Sequence, residues 1–320
     1  MTVSEAPVAT RSSAAPVRRG RGTFRSRVLV PYAMLAPGII LFVAFMAAPI
    51  LYTLFLSFQK TKVSGLGLGS GARTTVFAGI DNYITTLTNT EFGASVGRVL
   101  MYGFILIPLM LGLALLFALL LDSKRTRASG FSRTAIFLPY AVPAVVAVLM
   151  WGYIYGDQFG LTSNLNDFLG SDLITPFARE WILISIGNIV TWQFVGYNML
   201  IFYSSLKTIP TDMYEAASLD GAGAWRTIFS IKIPNVRGAL VIATIFSIIG
   251  SFQLFNEPNI LRPLAPNVIT TYFTPNMYAY NLSFAGQQFN YAATIAIIMG
   301  VITAVIAYVV QLRGSKSEVR

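Results

Sequence analysis

The chain has 320 residues, 55% of them hydrophobic and only 11% charged, a net charge of +10, and neither cysteine nor histidine. A soluble domain carries about 25% charged residues, so this chain lacks the charge to coat a water-facing surface and reads as an all-α membrane protein. The missing cysteine and histidine exclude a disulfide scaffold, a CxxC metal site, a thiol nucleophile and an imidazole base, so no cofactor or metal is expected.

Residues 1–27, rich in Ser, Ala, Pro and Arg, read as a disordered basic tail that would lie against anionic membrane lipid. A secretory signal peptide fits less well: the apolar run that follows is about twice the usual 7–15 residues, and no small-x-small cleavage site closes it. Charge-free windows then mark spans at 28–59, 99–121, 134–156, 181–206 and 238–256, with a sixth at Tyr291–Leu312. Each is long enough for a crossing, which takes about 20 mostly apolar residues. These spans form one transmembrane domain, 28–312, followed by a short tail, 313–320. Pro37, Pro49, Pro108, Pro139 and Pro143 fall inside spans and predict kinks.

Six spans put both termini on one side, and the distribution of Lys and Arg says which. The N-terminal tail, the loops after spans 2 and 4 and the C-terminal tail hold seventeen, whereas the opposite loops hold five: Lys60, Lys62, Arg73, Arg179 and Arg262. Positive residues stay inside, so both termini are expected in the cytoplasm. Charge spread over membrane loops in this way gives no nucleic-acid surface.

All thirteen acidic residues lie in loops, tails or span edges. Ion-coupled carriers bury charged groups at mid-membrane despite the cost, and a membrane hydrolase needs a positioned acid, base or metal ligand. The pattern disfavours both, and uphill transport would draw its energy from another subunit. GLGLGSGAR (Gly65–Arg73) has glycines, but no lysine follows and the charge distribution places it outside the cell, so it reads as a flexible loop rather than a phosphate loop.

Between spans 4 and 5 the loop 207–237 carries YEAASLDGAGAWRTIFSIKIP (Tyr214–Pro234). Thr211 is expected to cap a short helix with Asp212 and Glu215 in its first turn, and Gly221 to end it in a left-handed C′ position. Ala224–Phe229 would form a second short helix, and Pro234 would close the segment. Ala216, Ala217, Gly221 and Gly223 keep this helix-turn-helix thin enough to enter a groove on another protein.

The stretch resembles the EAA loop of ABC-importer permeases, E-A-A-x3-G-x9-I-x-L-P, here as Glu215, Ala216, Ala217, Gly221, Ile231 and Pro234, with Ile233 in the leucine position. FAGIDNY (Phe77–Tyr83), FGLTSNLNDFL (Phe159–Leu169), Thr191–Pro210 and Phe255–Tyr280 resemble the binding-protein-dependent sugar-uptake branch of that family. The resemblance implies a six-helix permease of a bacterial cytoplasmic membrane that is not itself an enzyme. Its partners would be a second related permease, a cytoplasmic ABC ATPase dimer coupled through the EAA loop, and an extracytoplasmic solute-binding protein.

For the solute path, Asn188, Thr191 and Asn198 share one face of span 4 by helical spacing. Trp192, Gln193 and Tyr197 lie close by, and span 5 adds Ser247, Ser251 and Gln253. Uncharged hydrogen-bonding groups beside aromatic rings suit a neutral sugar, although helix–helix hydrogen bonding uses the same residue types. A glycerol-phosphate importer of the same branch is an alternative, with Arg98 as the cation nearest a pore; an ion-coupled secondary carrier is another.

Overall fold

The computed structural model describes residues 24–63, 73–123, 126, 129–156, 160–171 and 173–315, so the tail before residue 24, all but the last residue of Gly65–Arg73 and residues 316–320 lie outside the described residues. The chain divides into two compact units, 1–52 and 53–320.

The first unit is helical: α1 (Phe24–Phe42), a π turn (Val43–Ala47) and the start of α2 (Ala48–Ser57). No side chain from 31 to 52 is buried, and apolar groups so exposed require lipid or another protein around them. The π turn ends at Ala47, two residues before Pro49. A proline offers no N–H and crowds the carbonyl four residues back, and the wider turn, closed by the Ala48 N–H on the Val43 carbonyl, relieves that crowding.

The second unit opens with a two-stranded hairpin, β1 (Gln59–Val63) against β2 (Arg73–Phe77), antiparallel with Gln59 opposite Phe77. Helices follow: α3 (Asp81–Thr88), α4 (Thr90–Asp122), α5 (Ser129–Phe137), a 3-10 turn (Leu138–Ala141), α6 (Ala144–Ile154), α7 (Leu161–Leu169) and α8 (Ile182–Leu206). Then come α9 (Thr211–Leu219), α10 (Ala224–Thr227), a second π turn (Ile228–Lys232), α11 (Ile233–Phe252), α12 (Asn256–Leu261), α13 (Pro275–Phe284) and α14 (Phe289–Ser315).

Among the described residues, four stretches are long and apolar enough to cross a membrane, Pro31–Ser57, Thr90–Asp122, Ala224–Leu261 and Phe289–Gly314, and five if the pair Ser129–Ala141 and Ala144–Ile154 counts as one broken span. That pair bends by 95°. Val142, ahead of Pro143, is held extended at φ −75° and ψ 129°, as the residue before a proline must be. Span 3 is therefore two helices rather than one kinked rod. The expected span 181–206 is α8, 25 residues long but outside that apolar set because of its amides and hydroxyls.

The interior has helix α8 at its centre. Toward the end of α4, Ala114 and Ala118 pack with Met199, Phe202 and Leu206 of α8 and Val236 of α11; small residues let the two backbones approach closely. At the other end of α8, Ile182, Ile186 and Ile189 pack with Val148 of α6, Leu261 of α12, Ile269 and Met277. A third cluster joins Val99 of α4 to Ile248 and Phe252 of α11 and Ile295 of α14. Polar ties fix the hairpin end. Gly79 turns the chain at φ +55°, and the Asn82 amide donates to the carbonyls of Ser57 (2.9 Å) and Gln59 (2.7 Å). The Ser57 and Tyr83 hydroxyls bond at 2.6 Å. The FAGIDNY stretch is thus the fastener between α2 and α3.

Gly196 sits where α8 crosses the end of α5: a Cβ there would run into the Ile136 carbonyl and lie 2.8 Å from the Phe137 Cα. Backbone cannot yield as a side chain does. Gly196→Ala is expected to cost about 1–3 kcal/mol as overpacking, read as a lower thermal midpoint of the detergent-purified protein.

Candidate functional site

A chamber of about 330 Å³ lies among α4, the 3-10 turn, α8, α11 and the start of α12. The proline break positions its first wall. Tyr140, between Pro139 and Pro143, stacks on Tyr197 of α8 with ring centroids 4.8 Å apart and planes 17° apart, and Phe194 meets Tyr140 edge-on at 5.7 Å. Facing these rings are Asn198, Ser247, Ser251, Gln253, Asn256 and Glu257. Asn198 and Ser251 are buried and tie back to their own helices, the Asn198 amide donating to the Phe194 carbonyl at 3.0 Å and the Ser251 hydroxyl to the Ser247 carbonyl at 2.9 Å. Each keeps hydrogen-bonding capacity toward the chamber. No Lys or Arg is among its described lining residues.

The predicted pathway residues do not all meet here. Asn198, Ser251 and Gln253 do. Asn188 and Thr191 face a second, larger cavity of about 750 Å³ beside α4 and α8, whose rim carries Arg98, Arg179 and Glu180. Arg98 donates to the carbonyls of Tyr272 (3.1 Å) and Phe273 and lies over the Phe273 ring at 5.1 Å, away from the smaller chamber. Asn188 donates to the Tyr155 hydroxyl at 2.8 Å, Gln193 to the Val142 carbonyl at 3.0 Å, and Trp192 sets its ring edge-on to Trp151 at 5.8 Å. These three hold α8 to its neighbours. Tyr140 and Glu257 were missed in the sequence. Glu257 stands at a span edge by count, but the turn into α12 brings it back over the chamber. The proline pair flanking Tyr140 was the available signal for the other.

In the loop 207–237, Thr211 is the first residue of α9 and no side chain caps the helix, so the expected Thr211 cap is replaced by Pro210, whose φ of −58° suits a helix entry. The far end has Gly221 at φ +69°. Its N–H bonds the Ser218 carbonyl at 3.1 Å and the Ala222 N–H the Ala217 carbonyl at 2.9 Å, the pairing of a Schellman turn. Pro234 does not close the segment: α10, the π turn and α11 run on as one helical stretch, and the π turn ends two residues before Pro234 as the first one does before Pro49. Glu215, Ala216 and Gly221 are exposed, and so are Leu219 (89%), Trp225 (75%) and Phe229 (63%). So much exposed apolar surface on a charged, thin element is what a docking face presents.

Beneath the loop, Asp122 at the end of α4 meets Lys207 at 2.8 Å and Lys232 at 2.6 Å. The hydrogen bond to Asp122 raises the Lys207 ammonium above its ordinary pKa. Tyr203 lies under Lys207 (5.1 Å) and Arg133 (5.7 Å), and Tyr214 faces Lys232 at 5.7 Å.

Residues 112–313 match the family of binding-protein-dependent transport system inner membrane components. The chain is 30% identical over 283 residues to the Bacillus subtilis (strain 168) protein named "Probable ABC transporter permease protein YurN", covering 86% of this chain and 92% of that one. It is 29% identical over 287 residues to the lactose transport system permease protein LacF of Rhizobium radiobacter, covering 87% and 91%. A crystal structure of a bacterial alginate ABC transporter, in complex with an alginate pentasaccharide-bound periplasmic protein, shares the fold with TM-score 0.76 at 18% identity, over 92% of this chain and 96% of that one.

The separation of packing residues from chamber residues has a direct check. Gln193→Leu removes the donor to Val142 at the broken span and should lower stability by about 1–2 kcal/mol, seen as a lower thermal midpoint. Asn198→Ser keeps a polar group and gives up only a bond within its own helix, so it should lower stability by about 0.5–1 kcal/mol, less than Gln193→Leu.

Proposed function

We propose that this chain, which belongs to the family of binding-protein-dependent transport system inner membrane components, forms half of the translocation path of an ATP-driven importer for a neutral sugar or oligosaccharide. It is a transport component, and ATP hydrolysis falls to a separate cytoplasmic subunit. The observation that carries the solute class is the chamber of stacked tyrosines, amides and hydroxyls without a cation among its described lining residues. Hydroxyl groups of a sugar need donors and acceptors, and its C–H faces settle on aromatic rings. Asn198, Ser251 and Gln253, with Tyr140 and Tyr197, are the assigned contacts. A glycerol phosphate would want a cation, and Glu257 would repel it. The relative named for lactose transport supports the same class.

Energy enters through the loop. Glu215, Ala216, Ala217, Gly221, Ile231 and Pro234 form the docking element for an ABC ATPase dimer, with Trp225 and Phe229 as apolar anchors beside it. A second permease completes the path, and a solute-binding protein delivers from outside. This reading sets both termini and the loop in the cytoplasm of a bacterial cell, with six crossings, α8 and the bent α5–α6 pair included. The excess of Lys and Arg on that side supports it. The alginate transporter's periplasmic partner supports the delivery step.

Two outcomes are expected. Gly221→Leu puts a branched side chain at φ +69° and bulk into a thin wedge; it should leave membrane insertion intact and lose both ATPase co-purification and uptake. Normal uptake by that variant would refute the docking role. In a panel of radiolabelled lactose, maltose and glycerol 3-phosphate, uptake of a neutral sugar that stops on ATP depletion supports the reading. Uptake that survives ATP depletion and collapses with the ion gradient would make the chain a carrier instead.

A further inference from the structure

We propose that Asp122 is a positioning residue that clamps both feet of the docking loop to the end of α4, so that α4, α8 and α11 move together when the loop is pulled. The proposal rests on the reading of the loop as the ATPase-docking element, but the clamp itself is a property of this chain.

The geometry is specific. Lys207 is the residue after α8, and Lys232 ends the π turn that leads into α11. Everything exposed between them, α9, the Gly221 turn and α10, is bounded by these two ammonium groups. They take different oxygens of one carboxylate, Lys207 Nζ on Oδ1 and Lys232 Nζ on Oδ2. The Asp122 side chain is 9% exposed and that of Lys232 13%, against 53% for Lys207. An enclosed pair is held by low local dielectric, and removing one partner strands the other charge; a solvent-exposed ammonium is held weakly. One foot is therefore fixed and the other can be released.

The clamp bridges the one irregular turn between α10 and α11. Ile228–Lys232 is a π turn, a local widening that marks places where a helix can slip register. Without Asp122, displacement of α9 could be absorbed there. With it, the displacement passes to the end of α4, whose Tyr102, Leu106 and Met110 line the solute chamber. Tyr203 and Tyr214, under Lys207 and Lys232, keep the two ammonium groups from swinging free.

The chain contains no cysteine, so spin labels can be placed without background at Leu120, exposed on α4, and Thr211, exposed at the start of α9 and outside the docking residues. Electron–electron distance distributions are measured on the full-length protein in nanodiscs, alone and in the complex captured with its ATPase, without nucleotide and with ATP plus vanadate. In the parent chain the distribution should be narrow and unchanged by nucleotide. In Asp122→Asn it should broaden and shift with nucleotide, while ATPase capture and ATP hydrolysis persist; Asp122→Glu should restore the narrow form. Lys207→Gln, at the exposed foot, should give an intermediate width and decides the matter if Asp122→Asn does not accumulate. A distribution that stays narrow in either neutral variant overturns the clamp. The width without nucleotide does not depend on ATPase capture, so failure of Gly221→Leu to lose the ATPase would reject the docking role and leave the clamp to stand or fall on its own result.

Discussion

The approach of α4 to α8 is the contact on which the remaining geometry rests. Ala114 and Ala118 leave room for Met199 and Phe202 to fill the seam. In lipid there is little hydrophobic drive between helices, so association depends on close packing and on a few hydrogen bonds. Once α4 and α8 are seated, the chamber wall, the Lys207 foot and the Asp122 carboxylate are all carried on two rigid rods. Larger side chains at Ala114 or Ala118 would separate the seam and move all three at once.

Prolines supply the main departures from helical regularity in the fold. Each breaks a helical hydrogen bond, and the chain responds in three ways. Before Pro49 and Pro234 it widens into a π turn; between Pro139 and Pro143 it tightens into a 3-10 turn and then bends; at Pro108 the helix continues. The broken span sets Tyr140 beside Tyr197, and the turn before Pro234 sets Lys232 beside Asp122. The same defect shapes a wall of the aromatic chamber in one place and a widened helical turn in the other.

Polar groups on α8 divide by what they meet. Asn188 and Gln193 reach the Tyr155 hydroxyl and the Val142 carbonyl, and an apolar bundle rewards such bonds because an amide left unpaired there is costly. Among the described residues Asn198 bonds only to its own helix, and it faces the chamber. Helical spacing gathers these residues on neighbouring faces, yet their uses differ because the partners arrive from α6, the Val142 turn and α11. Trp192 follows the same logic, occupied by Trp151.

Composition, charge placement and the EAA spacing were enough to determine a helical membrane protein, its family resemblance, the loop that stands out from it and the glycine that closes the first loop helix. Those features are local or compositional: a charge-poor chain has no other solvent to fold in, and a left-handed turn admits glycine at one residue. Tertiary structure alone decided that Pro234 continues a helix rather than ending one, that span 3 is bent by 95°, that Glu257 returns to the chamber and that one carboxylate holds two distant lysines. Each of these depends on where separate helices stop relative to one another, and hydrophobic runs mark a helix's middle well but carry little information about the angle at which it leaves.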